Sequence, residues 1–410
     1  MHQALDDWKL LERKLTDRGL HVPAIRKAIA GFRCETPSWG YGPSGTRFGV
    51  FHQPGEARTV YEKLEDAAEC QRLTKICPGV ALHIPWDKVD DFASLAVFAR
   101  ERGVHLGAIN PNVFQDPAYQ FGSFGHTDAA VRRKALDHMR ECCQIMRAVG
   151  SQVLSLWFAD GTDYPGQADF RSRKRYFEEC LQGTYQLLPA GTRMLIEYKF
   201  YEPAFYHTDV ADWGMALNFA LKCGERAHVL VDLGHHAVGV NIEQIVATLI
   251  DEGRLGGFHF NSRRYGDDDL TCGSVNPYEL FLIFVELVAA EMEPALLKYP
   301  LAYMIDQCHN TKPKLEAMIQ TVEHIQTAQA KALLVDHKRL AHAQAHNDVV
   351  GAERCLTDAF NTDVEPLLVS VREELGAAAK PLESFRASNY MAQAAAKRVG
   401  AVRGGGLGSS

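Results

Sequence analysis

LIEYK (residues 195–199), VLVDLGHH (229–236), GFHFN (257–261) and YMIDQ (303–307) share one design, a short apolar run ending on a side chain that can bind a metal ion. Those side chains are Glu197, Asp232 with His235, His259, and Asp306. A strand of a parallel barrel presents residues in this way, because its apolar stretch is buried on both faces and meets the pocket only at the carboxyl end. The intervals from 197 to 232, 232 to 259 and 259 to 306 each leave room for a loop, a helix and a loop. Four successive βα units would therefore aim carboxylate, carboxylate, imidazole and carboxylate at one place. Acids gathered away from water repel one another and are costly to desolvate, so a divalent cation is the simplest reason to group them.

Working outward, strand-like runs recur at FRCETPSW (32–39), VALHIPW (80–86), HLGAIN (105–110), QVLSLWF (152–158), RMLIEYK (193–199), HVLVDLG (228–234), GGFHFN (256–261) and AYMIDQ (302–307). Helical patterns separate them, among them 129–150 and 242–253, the latter closed by a glycine. Eight βα units predict an α/β protein whose sheet closes as a (β/α)8 TIM barrel. The expected organisation is an N-terminal helical segment (1–31), the catalytic barrel (32–336), a C-terminal helical extension (337–398) and a flexible tail (399–410). An extension that follows a complete barrel cannot add to its core, so it should cover the outside or meet another subunit.

Composition excludes several classes. A formal charge of -7, from 44 basic and 51 acidic residues, leaves no footprint for nucleic acid or an anionic membrane. No apolar stretch approaches the roughly 20 residues of a membrane span, and the charged start MHQALDDWKLLERKL is unlike a signal, which predicts a cytoplasmic location. The 10 cysteines form no C-x-x-C and read as reduced, mostly buried thiols. A neutral or small molecule is the expected partner.

A second ion can be placed beside the first. Asp232 and His235 stand three residues apart, and the loop after the seventh strand carries Asp267 and Asp269 in GDDDL. Asp232 can be shared between one site built from Glu197, His259 and Asp306 and another built from His235, Asp267 and Asp269. Oxygen-rich ligation without thiolate suits Mn²⁺, Mg²⁺ or Co²⁺ better than structural zinc. Bland readings compete: a strand-end aspartate is often a helix cap, GDDD is often a solvated turn, and His83 could be a satisfied core histidine. His236 reads as a bystander, since two adjacent imidazoles cannot face one point from a turn. Trp39, Trp86 and Trp157 can fill the mouth or form a wall on which a sugar packs. Lys199 shares a face with Glu197 and would offset carboxylate charge or bind a substrate oxygen.

LHIPWDK (82–88), VDLGHH (231–236), GGFHFN (256–261) with YGDDD (265–269), YEPAFY (201–206) and MIDQ-x-HN (304–310) together resemble the bacterial L-rhamnose isomerases of the broad-specificity, Pseudomonas type. The resemblance runs from about residue 25 nearly to the C-terminus. It implies a (β/α)8 barrel that binds two Mn²⁺-type ions, interconverts aldoses and ketoses, and forms a homotetramer. It places the structural ion on Glu197, Asp232, His259 and Asp306, and the catalytic ion on His235, Asp267 and Asp269 with Asp232 bridging. His83, Trp157 and Lys199 then contact the sugar, Phe51 reaches in from a neighbouring subunit, and Asp306 handles the hydroxyl protons. Tyr198, Ser262 and Cys308 depart from the family pattern at positions expected on the pocket rim. The implied activity interconverts L-rhamnose and L-rhamnulose and extends to L-mannose, L-lyxose and D-allose. The alternative on the same barrel is a ketose 3-epimerase, which needs only the four-ligand site and two opposed carboxylates.

Overall fold

Every one of the eight predicted runs becomes a barrel strand. The computed structural model describes residues 2–46, 49–202, 206–308 and 311–398. The strands are β1 (Glu35–Pro37), β2 (Gly79–Ile84), β3 (His105–Pro111), β4 (Val153–Leu156), β5 (Arg193–Glu197), β6 (Ala227–Asp232), β7 (Leu255–Phe260) and β8 (Ala302–Ile305). Neighbours run parallel, and β1 closes the ring by pairing with both β2 and β8, which is the predicted (β/α)8 barrel. The seam is thin: β1 and β8 share one registered pair, Glu35 opposite Met304.

The connecting helices begin where a short polar side chain can accept the first free backbone N–H groups. Thr59, Asp91, Asp128, Asp169, Asp212, Asn241 and Asn276 each cap the helix that follows. The helix predicted over 129–150 spans Ala129–Val149 and stops at Gly150, whose φ of 79° suits a residue without a Cβ. The one predicted over 242–253 spans Ile242–Asp251.

Strand alternation sets what fills the barrel. Ala81, Ala108, Val153, Leu195, Leu230 and Met304 form an interior apolar layer under Trp39, separate from the larger core between strands and helices. Two residues further along the same strands stand His83, Asn110, Ser155, Glu197, Asp232 and Asp306, joined by His259 from β7. At the opposite end Glu35 turns into the barrel and accepts the Ala108 N–H at 2.9 Å. Only glycines leave it room, since a Cβ on Gly107 would stand 2.1 Å from its Oε2 and one on Gly79 2.5 Å from its Cγ.

Past β8 the chain is helical, from Lys314–Ala332 through Tyr390–Lys397. This part lies on the outside and bonds back to the first βα units. Arg26 meets Glu374 at 2.6 Å, the Ala378 N–H reaches Leu73 O at 2.9 Å, and Tyr390 donates to Asp66 at 2.6 Å. Arg398 joins the buried Asp66 at 2.9 Å and the Gly55 carbonyl at 2.8 Å. The tail predicted for 399–410 lies outside the described residues. Among the described residues no helix is long and apolar enough to cross a membrane. All ten cysteines are free, and all but Cys223 and Cys308 are buried, as expected of thiols packed in a core.

Gly107→Ala should destabilise the barrel by about 1–3 kcal/mol, because Glu35 must leave its place. Urea unfolding of Gly107→Ala, Glu35→Ala and the double variant measures this, and the double should cost less than the sum of the singles.

Candidate metal centre

β5, β6, β7 and β8 end side by side, and their last inward residues converge. One ligand atom each from Glu197, Asp232, His259 and Asp306 can be chosen so that all lie within 4.8 Å of one another. His259 Nδ1 stands 3.1 Å from Glu197 Oε1, 3.5 Å from Asp306 Oδ2 and 3.8 Å from Asp232 Oδ2. Burial, with Glu197 and Asp306 nearby, pushes the Asp232 carboxyl up to about 7. Burial also raises Asp306. For His259 burial alone would lower the imidazole, but Glu197, Asp306 and Asp232 outweigh it and raise it to about 9. So much buried negative charge around one imidazole is what a hard divalent cation compensates, and three carboxylates with one nitrogen are a donor set that fits it. Trp39 Nε1 donates to Asp306 at 2.8 Å. Asn261 Nδ2 lies 2.9 and 3.0 Å from the two oxygens of Asp232.

The second expected set reaches the same cavity by a different route. Asp268, the middle acid of GDDD, accepts the backbone N–H groups of Arg264, Tyr265 and Gly266 at 2.5, 2.8 and 3.0 Å, and so folds the turn. Asp267 and Asp269 on either side adopt φ of 54° and 47°, a left-handed conformation uncommon outside glycine. Both line the cavity with His235. His235 Nε2 lies 2.8 Å from Asp267 Oδ1 and 3.9 Å from Asp232 Oδ2, while its Nδ1 donates to the Tyr198 carbonyl at 2.9 Å. Burial opposes charge on His235, but Asp232 and Asp267 raise it to about 10. Asp269 is raised by burial and then by Asp267, Asp306 and Asp232. Among the described residues only the four-ligand set closes to within 4.8 Å; Asp267 is drawn instead to Lys199 and His235.

Lys199 is buried, ion-paired with Asp267 and 2.7 Å from Glu202, and 4.9 Å above the Trp157 ring. Burial would lower its ammonium, yet Asp267 and Glu202 raise it, so it carries its charge into the cavity. His83 stacks on Trp86 at 3.7 Å with Trp39 edge-on at 5.5 Å. Burial pushes its imidazole down to about 3, hence neutral at working pH. Phe114 packs edge-on against Trp157 at 4.7 Å and completes an aromatic wall. The cavity measures about 130 Å³ and is open at its mouth. Phe51 does not line it in this chain and is 55% exposed.

Three expectations about the rim are corrected. Tyr198, Ser262 and Cys308 are not among the residues that line the cavity. Tyr198 is buried behind the strand ends, its hydroxyl 2.6 Å from Nε2 of His236, the expected bystander. Ser262 is held in a backbone bridge with Leu270. Cys308 packs behind, near Trp39, with its Sγ 4.0 Å from the Trp39 carbonyl. Alternation past a strand end is no guide, because the chain has already begun to turn. Sequence reasoning also missed Asn110, Ser155, Phe114 and Glu202 in the wall and Asn261 behind Asp232. Asn261 and Asn110 carried the same signal, as the final polar residues of the quoted runs GFHFN and HLGAIN.

The relatives give this barrel, with a residue cluster that could hold a metal ion, a family. A probable sugar isomerase of Rhizobium meliloti (strain 1021) is 45% identical over 406 residues, covering 98% of this chain and 94% of that protein. A probable sugar isomerase of Mesorhizobium japonicum is 44% identical over the same length and shares. The chain belongs to the sugar isomerase family that these two proteins represent. A xylose isomerase of Thermus thermophilus is 26% identical over 192 residues, 45% of this chain and 49% of that one. No family model matches the chain. In solved structures the barrel is shared with an L-ribulose 3-epimerase (TM-score 0.51, 16% identity, 74% of this chain and 98% of that one) and a D-psicose 3-epimerase (0.50, 14%, 77% and 99%).

Asn261→Ala should weaken binding of the tighter divalent ion by about tenfold or more, since Asp232 loses the amide that orients it. Calorimetric titration of stripped protein with Mn²⁺ checks this, and unchanged affinity would make Asn261 a packing residue only.

Proposed function

We propose that the protein is a metal-dependent aldose–ketose isomerase that interconverts L-rhamnose and L-rhamnulose and also accepts L-mannose, L-lyxose and D-allose. One observation carries the reading: His235, Asp267, Asp269 and Lys199 line the same cavity as Glu197, His259 and Asp306 of the four-ligand cluster. A ketose 3-epimerase needs the cluster and two opposed carboxylates but has no use for this second group. The full-length relatives named as probable sugar isomerases support the same class. The structural ion belongs on Glu197, Asp232, His259 and Asp306, and the catalytic ion on His235, Asp267 and Asp269 with Asp232 shared, Mn²⁺ being the first candidate.

Ions held by these residues would supply Lewis-acid stabilisation of the negative charge that develops on sugar oxygen as hydrogen moves between C1 and C2. Lys199 adds a fixed positive charge whose position is set by Glu202 and Asp267. Asp306, steadied by Trp39, exchanges the proton of a sugar hydroxyl. His83, neutral in its stack with Trp86, hydrogen-bonds a sugar oxygen without adding charge. Trp86, Phe114 and Trp157 cover the C–H faces of the chain and keep water out. We place the enzyme in the cytoplasm as a homotetramer, in which the exposed Phe51 of one subunit meets the cavity of the next.

Metal-stripped protein resupplied with Mn²⁺ should convert L-rhamnose to its ketose and act on the related aldoses; exchange confined to D-psicose and D-fructose would instead mark an epimerase. Asp267→Asn with Asp269→Asn should leave a folded protein that keeps one tightly held ion and almost no isomerisation. Two ions per chain with normal turnover in that variant would sink the two-site assignment.

Lys199→Met should lower kcat more than it raises KM, because only an interaction stronger in the transition state changes kcat. A pure KM effect would make Lys199 a substrate clamp.

A further inference from the structure

Seven strands, β2 to β8, deliver a side chain to one level of the barrel mouth. Those of β5 to β8 are the ionisable cluster, and those of β2 to β4 are the neutral His83, Asn110 and Ser155. This neutral arc lines the cavity opposite the charged one. Asn110 stands directly beside His83 in the strand register. Its Nδ2 donates to the Leu82 carbonyl at 3.1 Å, and because a carbonyl can only accept, the amide can point only one way. Its Oδ1 is left as an acceptor with no protein partner among the described residues. Next to it on β4, the buried Ser155 hydroxyl has no hydrogen-bond partner either, and the same holds for His83 Nδ1 and Trp157 Nε1. Polar groups removed from water without a partner are costly, and several of them along one wall of one cavity call for a ligand rich in hydroxyl groups.

We propose that Asn110, supported by Ser155, is a specificity-determining residue whose Oδ1 accepts a hydrogen bond from one hydroxyl of the sugar chain at C4 or C5, beyond the carbons held at the charged cluster. The assignment rests on the isomerase reading for its substrate class. An acceptor fixed in this way selects chains that bear a hydroxyl there over chains that lack it, whereas a terminal methyl meets the aromatic wall. Asn110 thus reads the middle of the chain and leaves its far end loosely specified.

The test is binding rather than turnover. L-Rhamnitol, the open-chain polyol of L-rhamnose, and its 4-deoxy and 5-deoxy forms are titrated calorimetrically into Mn²⁺-loaded protein. The wild type should bind the parent about tenfold more tightly than one of the two deoxy forms. Asn110→Ala should lose about tenfold on the parent and almost nothing on that deoxy form, with metal content unchanged. Asn110→Leu, nearly isosteric, replaces it if the alanine variant does not fold, and Ser155→Ala should narrow the same ratio by a smaller factor. Equal losses on parent and deoxy polyols, an unchanged ratio, or no polyol binding by the wild type would each overturn the assignment. The expected binding pattern in a protein that converts no aldose would refute the isomerase reading and leave the role of Asn110 standing.

Discussion

Three carboxylates packed around one imidazole, Glu197 and Asp232 buried and Asp306 partly so, are the constraint on which the rest of this structure turns. Left to relax, Glu197, Asp232 and Asp306 would move apart or take up protons, as the rise of Asp232 toward 7 indicates. What prevents the separation is the barrel itself, whose strands are tied to one another from β1 round to β8. Neighbouring donors refine the positions: Trp39 holds Asp306, Asn261 holds Asp232, and the Tyr198 carbonyl orients His235. Binding chemistry is thereby made part of the scaffold, because the groups that an ion would join stand at the ends of neighbouring barrel strands.

Much of this was legible in the chain, and for a definite reason. A strand buried on both faces leaves an uninterrupted apolar run, and a charged residue at its end has no packing role to perform, so Glu197, Asp232, His259 and Asp306 stand out without any structural information. Asp267 and Asp269 were visible as acids, but the division of labour within GDDD was not, since only the backbone shows that Asp268 makes the turn. Ser155 was silent, because a neutral polar residue inside a strand looks like any other, and Asn110, though it closes the run HLGAIN, carries no charge to mark it as a ligand. Ser262 and Cys308 misled for the opposite reason: nearness in sequence to a ligand suggested nearness to the cavity, and the turn after the strand carried them behind it.

The mouth is accordingly asymmetric. Charge is confined to the ends of β5 to β8, and β2 to β4 contribute neutral groups and aromatic rings. Lys199 stands where its ammonium balances carboxylates without leaving the cavity. A polyhydroxylated ligand in such a site would experience a strong field at one end and directional but uncharged contacts along its length, which separates reactivity from recognition.

A barrel of eight repeated units has no natural first or last, yet this one has a chain-terminal seam where β1 and β8 meet at a single registered pair, as β3 and β4 also do. The helices beyond β8 work as a clasp on it: Ala378, Tyr390 and Arg398 all fasten to the first βα unit through Leu73, Asp66 and Gly55. Tyr390 and Asp66 are 324 positions apart and Arg398 and Gly55 are 343 apart, so what fastens the circle is drawn from outside the eight repeats that form it.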